Sequence, residues 1–254
     1  MDRWINKVAI VTGASSGIGY GVAEKLVSEG IIVVGFARRK EMLEEAAKRF
    51  NKDKKLFHFY VVDLMKEEDI LNGFKWVADN VGPVHILINA GGVMRLSRLM
   101  NGDTTLWREV METNVISLCV ATREAIKEMQ KNNIDGHIIH INSVGGHTVL
   151  EDSNIYSPSK FAVTALTEAL RKELRDAKSK IKISSVSPGF VRTDMIKAAF
   201  DRCDLHYNEA DFPKIANSVP LTLEDVAGSV VYCLGTLPHV QVHDIIIKPI
   251  GELF

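Results

Sequence analysis

Tyr156 and Lys160 stand four residues apart in the run Ile155-Tyr156-Ser157-Pro158-Ser159-Lys160, and Ser143 lies thirteen positions upstream. Residues four apart share one face of a helix, so a phenol and an ammonium can open into one cleft. A free phenol, with a pKa of about 10, is a poor base at neutral pH. A nearby cation favours the phenolate and lowers that value. A serine hydroxyl at the end of a neighbouring strand can then hold a substrate oxygen. Together these three residue types make a proton-transfer site. A tyrosine and a lysine on a solvated helix face have the same spacing, so the rest of the chain must decide between the two.

The run Thr12-Gly13-Ala14-Ser15-Ser16-Gly17-Ile18-Gly19 follows a short apolar segment and opens a helical one. Glycines at a strand-to-helix turn let the backbone approach a ligand closely. The helix N-terminus behind them favours a phosphate through its free N–H groups and its dipole. Gly13, Ser15, Ser16, Gly17, Ile18 and Gly19 are the candidate contacts. The spacing is G-x-x-x-G-x-G, not the G-x-G-x-x-G of the usual Rossmann fingerprint. A tight turn with no ligand would use the same glycines.

An acidic residue at the end of the second strand would mark an NAD site. The chain instead reads Phe36-Ala37-Arg38-Arg39-Lys40. Cations that open a helix oppose its dipole, and a 2′-phosphate would compensate them. They point to NADP(H), with Arg38 as the main contact and Arg39 as the second; solvated surface charge is the alternative. Asp63, past the third strand, can accept a bond from an adenine amine or cap the following helix.

These residues need a scaffold, and apolar runs alternate with helical patterns along the chain. Strands are expected at Val8–Val11, Ile31–Ala37, Leu56–Val62, His85–Asn89, Gly136–Ser143, Ile181–Ser187 and Asp244–Lys248. Helices are expected over Ile18–Glu29, from the end of the second strand to Phe50, and over Glu67–Val81, Leu106–Lys131, Tyr156–Lys178 and Glu224–Leu234. Strands alternating with helices of ten or more residues imply βαβ units. Near-continuous apolar strands imply a parallel sheet covered on both faces, and right-handed crossovers make it doubly wound. The expected fold is therefore α/β: a Rossmann-like, doubly wound, parallel seven-stranded sheet in one domain spanning residues 1–254. Its cofactor half covers about 1–140 and its catalytic and substrate half about 141–254. Pro188 to Thr222 reads as one long irregular stretch, with a lid over 189–222.

The chain has 254 residues, 46% of them hydrophobic, enough for one large core. Net charge is −1, with 31 basic and 32 acidic residues. That balance argues for neither nucleic acid nor an anionic membrane surface as partner. Cys119, Cys203 and Cys233 are widely spaced. They suggest no disulfide framework and no metal site, and fit a reducing compartment. The opening Met1 to Lys7 leads into an apolar run too short for a signal peptide or membrane anchor, so the expected location is cytoplasmic. His137 and His140 are three apart on a strand and face opposite sides, which makes no metal pair.

Thr12-Gly13-x-x-x-Gly17-x-Gly19, Asn89-Ala90-Gly91, Asn114, Ser143, Tyr156-x-x-x-Lys160 and Pro188-Gly189 occur in that order. In motifs and spacing the chain resembles the short-chain dehydrogenase/reductase superfamily over nearly its whole length. The resemblance implies that Tyr156 is the catalytic acid/base and that Lys160 lowers its pKa and holds the nicotinamide ribose. It implies that Ser143 bonds the substrate oxygen and that Asn114 kinks the long helix and holds a water linking Lys160 to solvent. Asn89, Ala90 and Gly91 would line the cofactor floor, with Asp63 and Leu64 near the adenine. Pro188, Gly189, Val191 and Thr193 would cradle the nicotinamide carboxamide. The implied chemistry is reversible hydride transfer between nicotinamide and an alcohol or carbonyl carbon. A homodimer or homotetramer through the two long helices is also implied.

Within the superfamily, Met1-Asp2-Arg3-Trp4, Gly35-Phe36-Ala37-Arg38-Arg39 and Ile245 to Glu252 resemble an insect subgroup. It includes NADP-dependent farnesol dehydrogenases and has vertebrate carbonyl and ketosteroid reductase relatives. The ending departs from the Val-Asp-Gly-Gly tail common elsewhere in the superfamily.

Three segments should surround the substrate: Val93–Leu99, Val144–Ile155 and Met195–Phe212. They carry Met94, Leu96, Val144, His147, Val149, Leu150, Met195, Phe200, Tyr207 and Phe212. Met94, Val144, His147, Val149 and Met195 are the candidate contacts, although His147 also reads as a solvated loop histidine. The mainly apolar set suits a lipophilic alcohol or carbonyl. The lead substrate is farnesol, oxidised to farnesal; ketosteroids and other carbonyls are the alternative. A catalytically idle dinucleotide-binding scaffold or sensor is the remote alternative.

Overall fold

A computed structural model describes residues 1–52, 54–151, 153–203 and 218–252. Seven parallel strands form one sheet in the order β3-β2-β1-β4-β5-β6-β7. They are β1 (Val8–Thr12), β2 (Ile32–Ala37), β3 (Phe57–Val61), β4 (Val84–Asn89), β5 (His137–Ile141), β6 (Lys182–Pro188) and β7 (Asp244–Ile247). The helices are α1 (Gly17–Ser28), α2 (Lys40–Phe50), α3 (Glu67–Asn80), α4 (Thr104–Met111), α5 (Ser117–Lys131), α6 (Tyr156–Asp176), α7 (Met195–Asp201) and α8 (Leu223–Gly235). The expected α/β doubly wound, single-domain fold is the fold observed.

Strand alternation divides the core into two layers. Ala9, Val11, Ile86, Ile88 and Ile139 face α1, α2 and α8 through Val22, Leu26, Leu43, Val226 and Val230. Ile10, Val34, Phe36, Leu87 and Ile138 face α3, α5 and α6 through Phe74, Val77, Ala125, Met129 and Leu174. Each fully buried branched or aromatic side chain contributes about 1.5–3 kcal/mol of hydrophobic transfer. Helices on both faces bury β1 throughout and β4 apart from His85, so apolar residues dominate both of their faces. The strand order reverses between β1 and β4. At that switch point the loops part at the C-terminal edge and leave a crevice.

Two expectations need correction. The helix expected over Leu106–Lys131 begins at Thr104, after Asp103 accepts the Thr105 N–H at 2.7 Å, and it is not continuous. A π-helical turn over Glu112–Ile116 separates α4 from α5. The stretch from Pro188 to Thr222 is not irregular throughout, because α7 lies within it. Residues 204–217, with Tyr207 and Phe212, lie outside the described residues.

His137 and His140 lie on opposite faces of β5. His137 Nε2 bonds Ser184 Oγ at 2.9 Å, while His140 bonds Thr122 and Thr167 hydroxyls at 3.2 and 2.9 Å. Burial, with the nearby charges of Lys182 and Arg3 for one and Lys160 and Arg171 for the other, pushes both imidazoles down to about 3. Both stay neutral in the folded protein, whereas in the unfolded chain they take up protons below about pH 6.5. Stability is therefore full above pH 6.5 and is lost as pH falls from 6.5 towards 3, at up to about 1.4 kcal/mol per pH unit for each histidine. Urea unfolding at pH 7.5 and 5.5 should show a fall about 1.4 kcal/mol smaller for His140→Gln than for wild type. An equal fall in both would assign the titration to other groups.

Candidate active site

The turn from β1 into α1 lies at the crevice floor. Thr12 ends β1, and its hydroxyl accepts the N–H groups of Ala90 and Gly91 at 3.0 and 2.9 Å, tying β1 to the end of β4. Gly13 has φ +70°, a conformation open to glycine, and a Cβ there would lie 2.9 Å from the Gly91 Cα. A Cβ on Gly19 would lie 2.5 Å from the Gly13 carbonyl oxygen. The turn therefore closes only with glycines. Ser16 precedes α1, and no side chain caps the helix's first N–H groups among the described residues. Those donors and the helix dipole favour an anion there. Ile18 packs into the core, holding the helix start down.

Arg39 crosses from the end of β2 to this turn. Its guanidinium donates to Ser15 Oγ from Nη2 at 3.0 Å and also to Ser16 Oγ. Arg38 beside it is exposed. Asp63 accepts the Met65 N–H at 3.1 Å, so it shapes the turn after β3; the residue preceding α3 is Lys66. Leu64 approaches Gly91 so closely that a Cβ on that glycine would overlap it. Uncapped N–H groups, glycines that leave room only for backbone and a guanidinium over two serine hydroxyls together fit a dinucleotide's phosphates.

Tyr156 and Lys160 lie on the first turns of α6, 8% and 6% exposed. The Lys160 ammonium donates to the Ile141 carbonyl at 2.9 Å and lies 5.8 Å from the Tyr156 ring centroid. Ser143, two residues past β5, accepts the Gly145 N–H at 3.0 Å, and its hydroxyl acts to lower the Tyr156 pKa. Burial pushes the phenol above its ordinary value, and the Ser143 hydroxyl opposes that. Burial pushes Lys160 down to about 8, so it remains a cation at pH 7. A protonated phenol, a hydroxyl that favours its ionised form and a buried cation on the same helix as the phenol form an arrangement able to pass a proton to a bound oxygen.

Asn114 sits in the π-helical turn. Its Nδ2 donates to the Val93 carbonyl at 2.9 Å and to Ser159 Oγ at 3.0 Å, and its Oδ1 accepts the Val93 N–H at 2.8 Å. Ser159 in turn donates to the Tyr156 carbonyl at 2.6 Å. Asn114 thus joins the segment after β4 to the start of α6. Asn89 Nδ2 donates to Thr122 Oγ1 at 3.0 Å, tying the end of β4 to α5.

On the other rim, Pro188 ends β6 and the Gly189 N–H donates to the Ile247 carbonyl at 2.7 Å. Val191 bridges Leu221. The Thr193 methyl lies 3.5 Å from the position of a Cβ on Gly17, so this loop faces the glycine turn. Met195 opens α7, its Cε 4.0 Å from a Cβ placed on Gly92. Val144 is buried beside Ser143, Met94 is partly buried, and Val149 is 72% exposed. His147 is not simply solvated: its Nε2 lies 2.9 Å from Asp244 Oδ2 and 3.0 Å from Ser187 Oγ. Glu109 joins Arg95 at 2.7 Å to Arg202 at 3.0 Å, and so ties the segment after β4 to the end of α7. Among the described residues no three His, Cys, Asp or Glu side chains gather as metal ligands.

Thr12, Ser159, Glu109 and Glu252, which accepts the Phe190 N–H, were not singled out as contributors by the sequence pattern. Thr12 opens the glycine motif and Ser159 lies one turn from Tyr156, so both were signalled by position. Nothing local marks Glu109 or Glu252.

The chain belongs to the short-chain dehydrogenase family, whose model matches residues 7–204. It is an oxidoreductase of the alcohol dehydrogenase/reductase class, and the family uses a nicotinamide cofactor. Among similar proteins, the farnesol dehydrogenase of Aedes aegypti is 44% identical, with 100% of each chain covered. Human dehydrogenase/reductase SDR family member 11 is 42% identical over 100% of this chain and 98% of its own. A single-site variant of actinorhodin polyketide ketoreductase, solved with NADPH, has 28% identity and a TM-score of 0.86 over 98% of both chains.

Replacing Asn114 by Ala would leave the Val93 N–H and carbonyl without their side-chain partner in a buried place. Urea unfolding should show a loss of about 2–3 kcal/mol. A loss below about 0.5 kcal/mol, the size expected of a surface change, would contradict this linking role.

Proposed function

We propose that the protein is an NADP(H)-dependent oxidoreductase acting on a lipophilic alcohol or carbonyl, with oxidation of farnesol to farnesal as its lead reaction. Ketosteroid or general carbonyl reduction is the alternative. The observation that carries the proposal is the buried Lys160 ammonium, held by the Ile141 carbonyl and 5.8 Å from the ring of the buried Tyr156. The match in length and identity to the Aedes farnesol dehydrogenase supports the lead substrate. The mammalian relatives are the reason for keeping the alternative.

The nicotinamide, when bound, supplies or accepts the hydride. Gly13, Ser15, Ser16, Gly17, Ile18 and Gly19 hold its phosphates, and Arg38 with Arg39 holds the 2′-phosphate. Asp63 and Leu64 flank the adenine, while Asn89, Ala90 and Gly91 form the floor. Pro188, Gly189, Val191 and Thr193 receive the carboxamide, and Lys160 the ribose. Ser143 donates a hydrogen bond to the substrate oxygen and stabilises charge that develops there. Tyr156 gives its phenolic proton to that oxygen in reduction and takes it from the alcohol in oxidation. Lys160, charged at neutral pH, favours the phenolate that oxidation needs. Asn114 holds the π-helical turn and a water leading from Lys160 to solvent. Met94, Val144, His147, Val149 and Met195 border the substrate.

Residues about 1–140 form the cofactor half and about 141–254 the catalytic and substrate half, with a lid over 189–222. Two or four copies assemble through α5 and α6, where Ile116, just before α5, and Phe161 on α6 are 46% and 40% exposed. The protein acts in the cytoplasm; no described helix is long and apolar enough to cross a membrane.

Tyr156→Phe should lower kcat about 10²–10⁴-fold while NADPH still binds, followed by nicotinamide absorbance and fluorescence. Retained turnover would remove the phenol from the proton path. A panel of farnesol, ketosteroids and small dicarbonyls with NADP and NAD tests the substrate class. Tight NADPH binding with no turnover of any of them would leave the idle-scaffold reading instead. Arg38→Asp should weaken NADP about tenfold or more and NAD little, since only NADP carries the 2′-phosphate. Equal loss with both cofactors would refute that contact.

A further inference from the structure

The chain's end folds back on the loop that follows β6. After β7 the backbone turns through Ile250 and Gly251 and brings Glu252 beside Gly189 and Phe190. Glu252 Oε2 accepts the Phe190 N–H at 3.1 Å. A Cβ on Gly189 would overlap both oxygens of this carboxyl group. Gly189 is not among the residues with left-handed backbone, so conformational freedom does not require glycine there. The close approach of Glu252 does. The other oxygen, Oε1, is buried without a partner among the described residues. Burial pushes the carboxyl pKa up, while the Phe190 N–H and the Lys248 charge pull it down. A buried oxygen without a partner costs stability, so packing alone does not favour a carboxyl group at this place.

Backbone hydrogen bonds to β7 and to Leu221 also hold the segment it grips. The Gly189 N–H donates to Ile247 at 2.7 Å, the Leu221 N–H to the Phe190 carbonyl at 2.9 Å, and the Arg192 N–H to Leu221 at 3.2 Å. The same segment presents Thr193 to the glycine turn and packs Val191 into the core below it. We infer that Glu252 is a positioning residue of the hydride-transfer site: its carboxyl group sets the Gly189–Phe190 backbone and thereby the place of Val191 and Thr193 against the nicotinamide. This rests on the proposal that the 188–193 loop receives the nicotinamide, and it adds the C-terminal tail to the site.

The test is NADPH binding to the full chain, followed by fluorescence, with melting temperature measured alongside. Glu252→Ala should weaken NADPH about tenfold, the size of one charge-assisted hydrogen bond, with melting temperature within about 2 °C of wild type. Glu252→Gln keeps an acceptor for Phe190 and should bind within about twofold of wild type. Gly189→Ala should displace the carboxyl group and weaken NADPH as much as Glu252→Ala does. The double variant should be no weaker than either single one, because both remove the same contact. Wild-type affinity in Glu252→Ala, losses that multiply in the double variant, or a Glu252→Ala chain that fails to fold would each overturn the positioning role. Wild-type protein that binds neither NADPH nor NADH would overturn the nicotinamide assignment itself. Wild-type binding with an insensitive Glu252→Ala overturns the role of Glu252 alone.

Discussion

A lysine ammonium held out of water governs the C-terminal edge of this sheet. Lys160 is 6% exposed, and its charge is met by the carbonyl of Ile141, the last residue of β5. A buried cation is tolerated only with such partners in place. The first turns of α6 must therefore lie against the end of β5. That docking sets Tyr156, one turn earlier, beside Ser143, two residues past the strand. It also crowds the connecting turn: a Cβ on Gly146 would lie 2.7 Å from the Lys160 carbonyl. Phenol, hydroxyl and cation come together because one desolvated charge leaves their elements little other choice.

The crevice has two further polar fastenings. Thr12 joins β1 to the backbone after β4, and Asn114 joins that same segment to α6 through Val93 and Ser159. Neither contributes much apolar burial; both satisfy backbone groups that would otherwise be stranded where the strands separate. The π-helical turn at Glu112–Ile116 fits this account, since it carries Asn114 at the break between α4 and α5. Such turns often occur at functional sites. The far rim is fastened differently, by the Arg95–Glu109–Arg202 ion pairs and by the tail at Glu252.

Strand and helix positions were legible because central strands are apolar on both faces and helices carry a 3.6-residue stripe. Only the ends moved, as at β5, where Gly136 and Ser143 fall outside His137–Ile141. The break at Glu112 was foreseen as a kink from the family resemblance, but the hydrophobic stripe passes through it without a sign. α7 escaped notice because seven residues, Met195–Asp201, are too short to show a period. At the site, Tyr156 with Lys160 and the glycines could be read because their spacing along one helix or turn is the geometry itself; Ser143, on a separate loop, was legible through the family resemblance. The Asp244 contact of His147 could not be read, because its partner lies on another strand.

The sequence by itself determined the α/β class, the parallel sheet and the types of group at the crevice. Those follow from local periodicity and from spacings of a few residues, which the backbone converts directly into shared faces. Tertiary structure alone decided which carbonyl meets Lys160, that Arg39 reaches Ser15, that Asn114 holds Val93 and that Glu252 takes the space beside Gly189. Each joins residues at least nineteen positions apart, and for Glu252 and Phe190 the separation is 62. Such contacts depend on how packed elements close on one another, and no short-range pattern in the chain encodes that closure.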